Sequence, residues 1–316
     1  MSEPTTPPAP SVIIPGAKRM SQVDKAAVTL CLGGPSGAGK TTGAFSFFGG
    51  DYGKVVYLGI EAPQGNTGGG GATPAIYMSK KLGIDESDVE LLYCRSWKEF
   101  QAKWALIVKH APDLYKAGYR GIIWDGITEA SLLLDDSLSN IAPSDIGASD
   151  DGQINAIREI VKNLGQVAGR KVAQADFGII GSWIRDSIKR LKTMPFTAIL
   201  TAIDGPLYPE NAKGMEVEPI GIGPELVGRK LPHAFFKDMD FYFHCDKIVD
   251  RVQQSDGQGG QKTVLVKRYR WLTENDPRVP GTPMYFAKSR AGSTLSMYEV
   301  ADGKALLKKF GVDKRI

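Results

Sequence analysis

The chain has 316 residues, 42% hydrophobic and 23% charged, the proportions of an ordinary globular protein with enough apolar material for a sizeable core. Lys and Arg exceed Asp and Glu by 39 − 35 = +4, a mild basicity that permits a polyanionic partner without requiring one. Cys31, Cys94 and Cys245 lie far apart and form no CxxC metal or redox pair, as expected in a reducing cytoplasm. No apolar run approaches the roughly 18 residues of a membrane span, and no basic-then-apolar signal pattern opens the chain, so the expectation is a cytoplasmic protein without a membrane partner.

Residues 1–16 are rich in Pro, Ser and Thr and read as a disordered arm. The stretch 26–32 reads as a buried strand, and after it comes GGPSGAGKTT at 33–42. Within it Gly34, Gly39, Lys40 and Thr41 fill the fixed positions of G-x-x-x-x-G-K-[ST]. Gly34, Pro35, Ser36, Gly37, Ala38 and Gly39 would turn backbone N–H groups toward a triphosphate, and a helix opening around Thr42 would add its positive end. Lys40 would neutralise the β/γ oxygens, and the Thr41 hydroxyl would hold Mg²⁺. A strand before and a helix after make this a nucleotide site in context, with ATP and Mg²⁺ as the expected ligands.

Residues 54–61 form an apolar run ending in Glu61, as in a central parallel strand. The Gly-rich stretch 65–71 reads as a loop, followed by a short helix over 73–82. A third strand is predicted at 89–94. Ser96 and Glu99 then form an S-x-x-E capping box for a helix that Pro112 should kink or end. A fourth strand at 120–125 ends in Asp125 and is read as continuing through 129; a buried strand with this terminal Asp would set a carboxylate beside Thr41 and the metal. Residues 136–151 read as a polar linker. Apolar stripes predict helices over 154–167 and 177–191, the second with Arg185, Lys189, Arg190 and Lys192 on a solvated face.

A fifth strand is expected at 196–204. The Gly/Pro-rich stretch 205–232 shows little periodicity and reads as a functional loop, with Lys213, Arg229 and Lys230 as candidates for a polyanion. Strands at 240–245, 248–253 and 263–272 surround a hairpin turn at 255–260. Another short strand is read at 284–290, where Lys288 and Arg290 share a face. The segment 304–315 is basic and predicts a short helix.

The order of P-loop, strand ending in Glu61 and strand ending in Asp125 resembles the RecA-like ATPases. DGITE at 125–129, QADFG at 174–178, GPELVGRKLP at 223–232 and YFAKSRAG at 285–292 are similar to one branch, the bacteriophage ATP-binding proteins of single-strand annealing and recombination. The resemblance implies an α/β fold: a RecA-like core over 17–295 with a mainly parallel sheet flanked by helices, a C-terminal β-hairpin extension, and a basic tail at 296–316. It implies an ATPase in which Glu61 activates water and Lys288 and Arg290 enter a neighbour's site, with Glu129 a secondary candidate acid. The implied partners are single-stranded DNA, further copies of the chain sharing ATP at their interface, and a single-strand-binding protein; a phage protein would act in the host cytoplasm. Two other readings stay open: a P-loop kinase of a small acceptor, and a nucleotide-dependent assembly scaffold with little turnover.

Overall fold

The computed structural model describes residues 27–60, 80–94, 96–139, 174–210, 217–255, 261–275, 284–290, 295–310 and 312. The arm at 1–16, Glu61, the Gly-rich stretch 65–71, the helix expected over 154–167 and Lys213 lie outside them.

The chain builds a sheet ordered β3-β2-β4-β5-β1-β7-β8-β9. Six strands are mutually parallel: β1 (Thr29–Gly34), β2 (Lys54–Gly59), β3 (Val89–Tyr93), β4 (Tyr119–Asp125), β5 (Thr197–Leu207) and β7 (Phe241–Ser255). β8 (Gln261–Leu272) and β9 (Tyr298–Val300) add antiparallel, and β6 (Gly221–Pro224) pairs antiparallel with β5. The architecture is therefore α/β with a mixed, mostly parallel sheet.

Both faces of the sheet are covered, so its central strands are apolar throughout rather than alternating with polar residues. Cys31, Leu58, Ile122, Trp124 and Leu200 point to one face, where α2 (Trp97–Lys116), α3 (Ile127–Ser139), α4 (Gln174–Thr193) and α5 (Leu231–Asp238) pack. Leu30, Leu32, Tyr57, Ile123 and Ile199 point to the other, against α1 (Lys40–Phe45) and α6 (Gly303–Lys309). Trp124 anchors the first layer, its ring centroid 5.2 Å from Phe100 and 5.8 Å from Trp183.

Several boundaries differ from the sequence reading. The Ser96 cap forms, its Oγ accepting from Glu99 N, but α2 runs past Pro112 to Lys116. Pro112 faces solvent, while Ala111, Leu114 and Tyr115 keep packing on the core, which holds the last turn in place. β4 does not continue to 129: the chain turns at Gly126 and enters α3, which extends through Ser139 into the expected linker. The stretch 205–232 contributes the end of β5, β6 and the start of α5, while 211–216 lie outside the described residues. The two strands expected at 240–253 are one, β7. Residues 284–290 make only isolated bridges, Ile222 to Tyr285 and Tyr242 to Lys288. Of the expected tail at 296–316, the described residues 296–310 pack on the core, because β9 pairs with β8 and α6 buries Leu306 and Leu307.

Candidate functional site

The P-loop residues Ser36 to Thr42 lie between the end of β1 and the first turn of α1. Gly39, the residue before α1, has φ +86°, and a Cβ there would meet the Tyr269 ring at 2.8 Å. Both the left-handed backbone and the close ring require glycine at this position. Lys40 Nζ donates to the carbonyls of Gly34 (2.8 Å) and Pro35 (3.0 Å), so the ammonium lies over its own loop.

Asp125 is brought to this loop by sheet order alone. β4 stands two strands from β1, with β5 between them, and all three run parallel and end on the same side. The carboxylate is 5% exposed and accepts three hydroxyls: Thr41 Oγ1 (2.9 Å) and Tyr57 OH (2.8 Å) on Oδ2, and Thr201 Oγ1 on Oδ1. Thr201 Oγ1 also accepts from Gly126 N (2.9 Å), which fixes the strand-to-helix turn. Three oriented O–H dipoles compensate a carboxylate that burial would otherwise penalise.

Glu129, in the first turn of α3, faces the same cavity. Its Oε2 is buried and has no hydrogen-bond partner. Burial, helped by the Asp125 and Glu225 charges, pushes its carboxyl above the usual carboxylate range, against a hydrogen bond from its own backbone N–H and the Lys40 charge. Gly126 has φ +99°, and a Cβ there would come within 2.6 Å of Glu129 Oε2, so glycine is what lets the acid fold over the turn. Thr128 ties the region together: its Oγ1 donates to Glu225 O (2.8 Å) and accepts from Ile203 N (3.0 Å).

These groups enclose a cavity of about 350 Å³ lined by Ser36, Lys40, Thr41, Asp125, Glu129 and Thr201. Lys81 and Tyr269 complete its rim. One residue past Ile203, which lines the cavity, Asp204 forms a buried pair, its Oδ2 2.7 Å from His244 Nδ1, with Tyr242 OH donating to Asp204 Oδ1 (3.2 Å) and Tyr285 stacked on the imidazole.

Of the residues expected from sequence, Lys40, Thr41 and Asp125 converge. Glu61 lies outside the described residues, although β2 ends beside the site, where Ile60 N donates to Asp125 O (3.1 Å). Lys288 and Arg290 are not in this chain's cavity. Lys288 Nζ donates to the carbonyls of Phe236 (2.6 Å), Lys237 (3.2 Å) and Met239 (2.7 Å) at the end of α5, and Arg290 pairs with Asp240 (2.9 Å). Tyr57, Lys81 and Tyr269 carry no motif; the pairing of strands reveals Tyr57 and Tyr269, and the lining of the cavity reveals Lys81. Among the described residues no cluster of three or more His, Cys, Asp or Glu could hold a metal by itself. A hydroxyl beside a carboxylate does suit Mg²⁺, which keeps waters and takes phosphate oxygens for its remaining positions. No protein-family model matches this chain, and no curated protein matches its sequence.

Proposed function

We propose that this protein binds and hydrolyses ATP with Mg²⁺, as a RecA-like ATPase acting on single-stranded DNA in recombination or annealing. The observation that carries the nucleotide site is the 2.9 Å hydrogen bond from Thr41 to Asp125, residues 84 positions apart, at the mouth of a glycine-rich loop that opens a helix. A hydroxyl and a carboxylate held together beside phosphate-directed N–H groups are the ligand set of a nucleotide-bound Mg²⁺. Bound there, the ion would supply charge neutralisation to the phosphates. The backbone of 36–41 would orient the substrate's phosphates, and Lys40 would exchange its two carbonyl partners for phosphate oxygens.

Glu129 is the acid we assign to activate water. Glu129 lines the cavity, and its raised proton affinity suits a group that must accept a proton. The closeness of Ile60 to Asp125 keeps Glu61 as the second reading. Lys288 and Arg290 would serve a neighbouring copy's site, as the resemblance implies. Arg290, 54% exposed at its side chain, is the better placed of the two to do so, since Lys288 caps α5.

The test is steady-state ATP hydrolysis with and without single-stranded DNA, together with nucleotide affinity by calorimetry. Lys40→Ala should abolish tight binding. Glu129→Gln should bind ATP but lose about 100-fold or more in turnover, with Glu61→Gln close to wild type. The reverse ranking would move the role to Glu61. Retained ATP affinity in Lys40→Ala would overturn the site itself, phosphate found on a small acceptor would make the protein a kinase, and nucleotide-driven assembly with negligible turnover would make it a scaffold.

A further inference from the structure

β7 and β8 are longer than the sheet needs. β1 pairs with β7 only at 241–244, and β9 pairs with β8 only at 270–272. Beyond those registers, 246–255 and 261–269 pair only with each other among the described strands. They form a two-stranded ribbon about 33 Å long at about 3.3 Å per residue.

Its two faces differ in charge. The pairing Asp246–Arg270, Ile248–Arg268, Asp250–Val266 and Val252–Val264 defines one face. There Asp246 and Arg270 bond at 2.7 Å, and Asp250 and Arg268 at 3.0 Å, so that acid and base cancel. The other face carries Lys247 opposite Tyr269, Val249 opposite Lys267, Arg251 opposite Leu265 and Gln253 opposite Thr263. It holds three cations and no acid. All of these residues but the half-buried Tyr269 are exposed, with Val249 at 50% and Leu265 at 63%. None of the three cations makes an ion pair with a described residue.

This open face is also the P-loop side of the sheet, since Tyr269 touches Gly39 and lines the cavity. The rival basic surface on α4 is partly neutralised: Arg185 pairs with Asp238, Lys192 with Asp240 and Lys189 with Asp186, which leaves Arg190 as its one cation without an acid among the described residues. Arg229 lies over the Tyr208 ring.

We propose that the face bearing Lys247, Arg251 and Lys267 is the single-stranded DNA-binding surface of this protein. The cations are spaced along the two strands of an extended ribbon to follow a phosphate backbone, exposed Val249 and Leu265 between them offer apolar contacts, and the Tyr269 ring offers a flat one for a base. The inference deepens the proposed function and rests on single-stranded DNA being the partner.

The experiment is binding of a labelled oligothymidylate by fluorescence anisotropy across a salt series. Wild type is compared with the triple variant Lys247→Gln, Arg251→Gln, Lys267→Gln and with Arg268→Gln on the opposite face. The triple variant should lose on the order of tenfold in affinity or more, and its log–log salt slope should fall by about 2, at roughly 0.7 per phosphate contact. Arg268→Gln should bind as wild type, and ATP-analogue affinity should be unchanged in all three proteins. Wild-type DNA binding by the triple variant would overturn the ribbon surface and leave the DNA reading standing. No binding by wild type would overturn both, and displacement by polyglutamate as effective as by DNA would reassign the face to an acidic protein partner.

Discussion

At the residue scale, the site is organised by one buried carboxylate and one half-buried acid whose Oε2 has no hydrogen-bond partner. Asp125 is satisfied by Thr41, Tyr57 and Thr201, so its position is fixed before any ligand arrives. Glu129 is the opposite case, held near a like charge with a bare oxygen. Because its proton affinity is raised on folding, the folded state binds a proton more tightly than the unfolded chain. Its contribution to stability is therefore fully present below the ordinary glutamate range and lost as pH rises through its elevated value. Glu129→Gln removes that loss. The variant should melt at a higher temperature than wild type at pH 8, with the difference narrowing at pH 4–5, as measured by thermal circular dichroism. A constant difference at both pH values would show that burial of the carboxylate does not set the effect. The convergence of Lys40, Thr41 and Asp125 was legible in sequence, because the glycine-rich loop has fixed offsets and Asp125 ends an apolar strand two strands after it. Tyr57 was not, since its role depends on β2 lying against β4.

At the element scale, Lys288 illustrates how a cation two positions from another can have a different task. Sequence spacing puts Lys288 and Arg290 on one face of a strand, but the segment makes only isolated bridges, and Lys288 reaches three carbonyls at the end of α5. Those carbonyls are the negative end of the helix, where a cation is favoured. Lys288→Met should cost about 1–3 kcal/mol, from the loss of charged hydrogen bonds to partly buried acceptors. Arg290→Gln, which breaks an exposed pair, should cost at most about 1 kcal/mol. Chemical denaturation checks both, and equal values for the two variants would contradict the capping role. Pro112 makes a related point: local propensity predicted a break in α2, but continued burial of Ala111 and packing of Leu114 and Tyr115 outweighs one missing backbone donor.

At the scale of the whole molecule, the C-terminal segment belongs to the core. α6 covers Phe47 so closely that a Cβ at Gly303 would meet its ring at 2.2 Å, and Leu306 and Leu307 are 4% and 0% exposed. Burial of two leucines contributes roughly 3–6 kcal/mol, comparable with much of a domain's net stability. A chain ending at residue 295 should therefore lose its cooperative thermal transition and bind an apolar dye. A sharp transition in the truncated protein would mean that the segment is dispensable. The same layer lies behind the nucleotide site, because Phe47 stacks on Trp271 and Trp271 packs on Gly43 of α1.

The sequence by itself determined the α/β class, the six parallel strands' approximate places, the glycine-rich loop between β1 and α1 and the strand that ends in Asp125. These follow from local patterns: apolar runs long enough for a strand, a capping box, and glycines at the intervals of G-x-x-x-x-G-K-[ST]. Only the tertiary structure decided that β5 separates β1 from β4, that Tyr57 and Thr201 reach Asp125, that Lys288 caps a helix, and that one face of the β7–β8 ribbon is left basic. The physical reason is common to all four. Each depends on which strand lies beside which, and strand order is set by burial of the sheet's two faces against helices far away in the chain, information that no local window of residues contains.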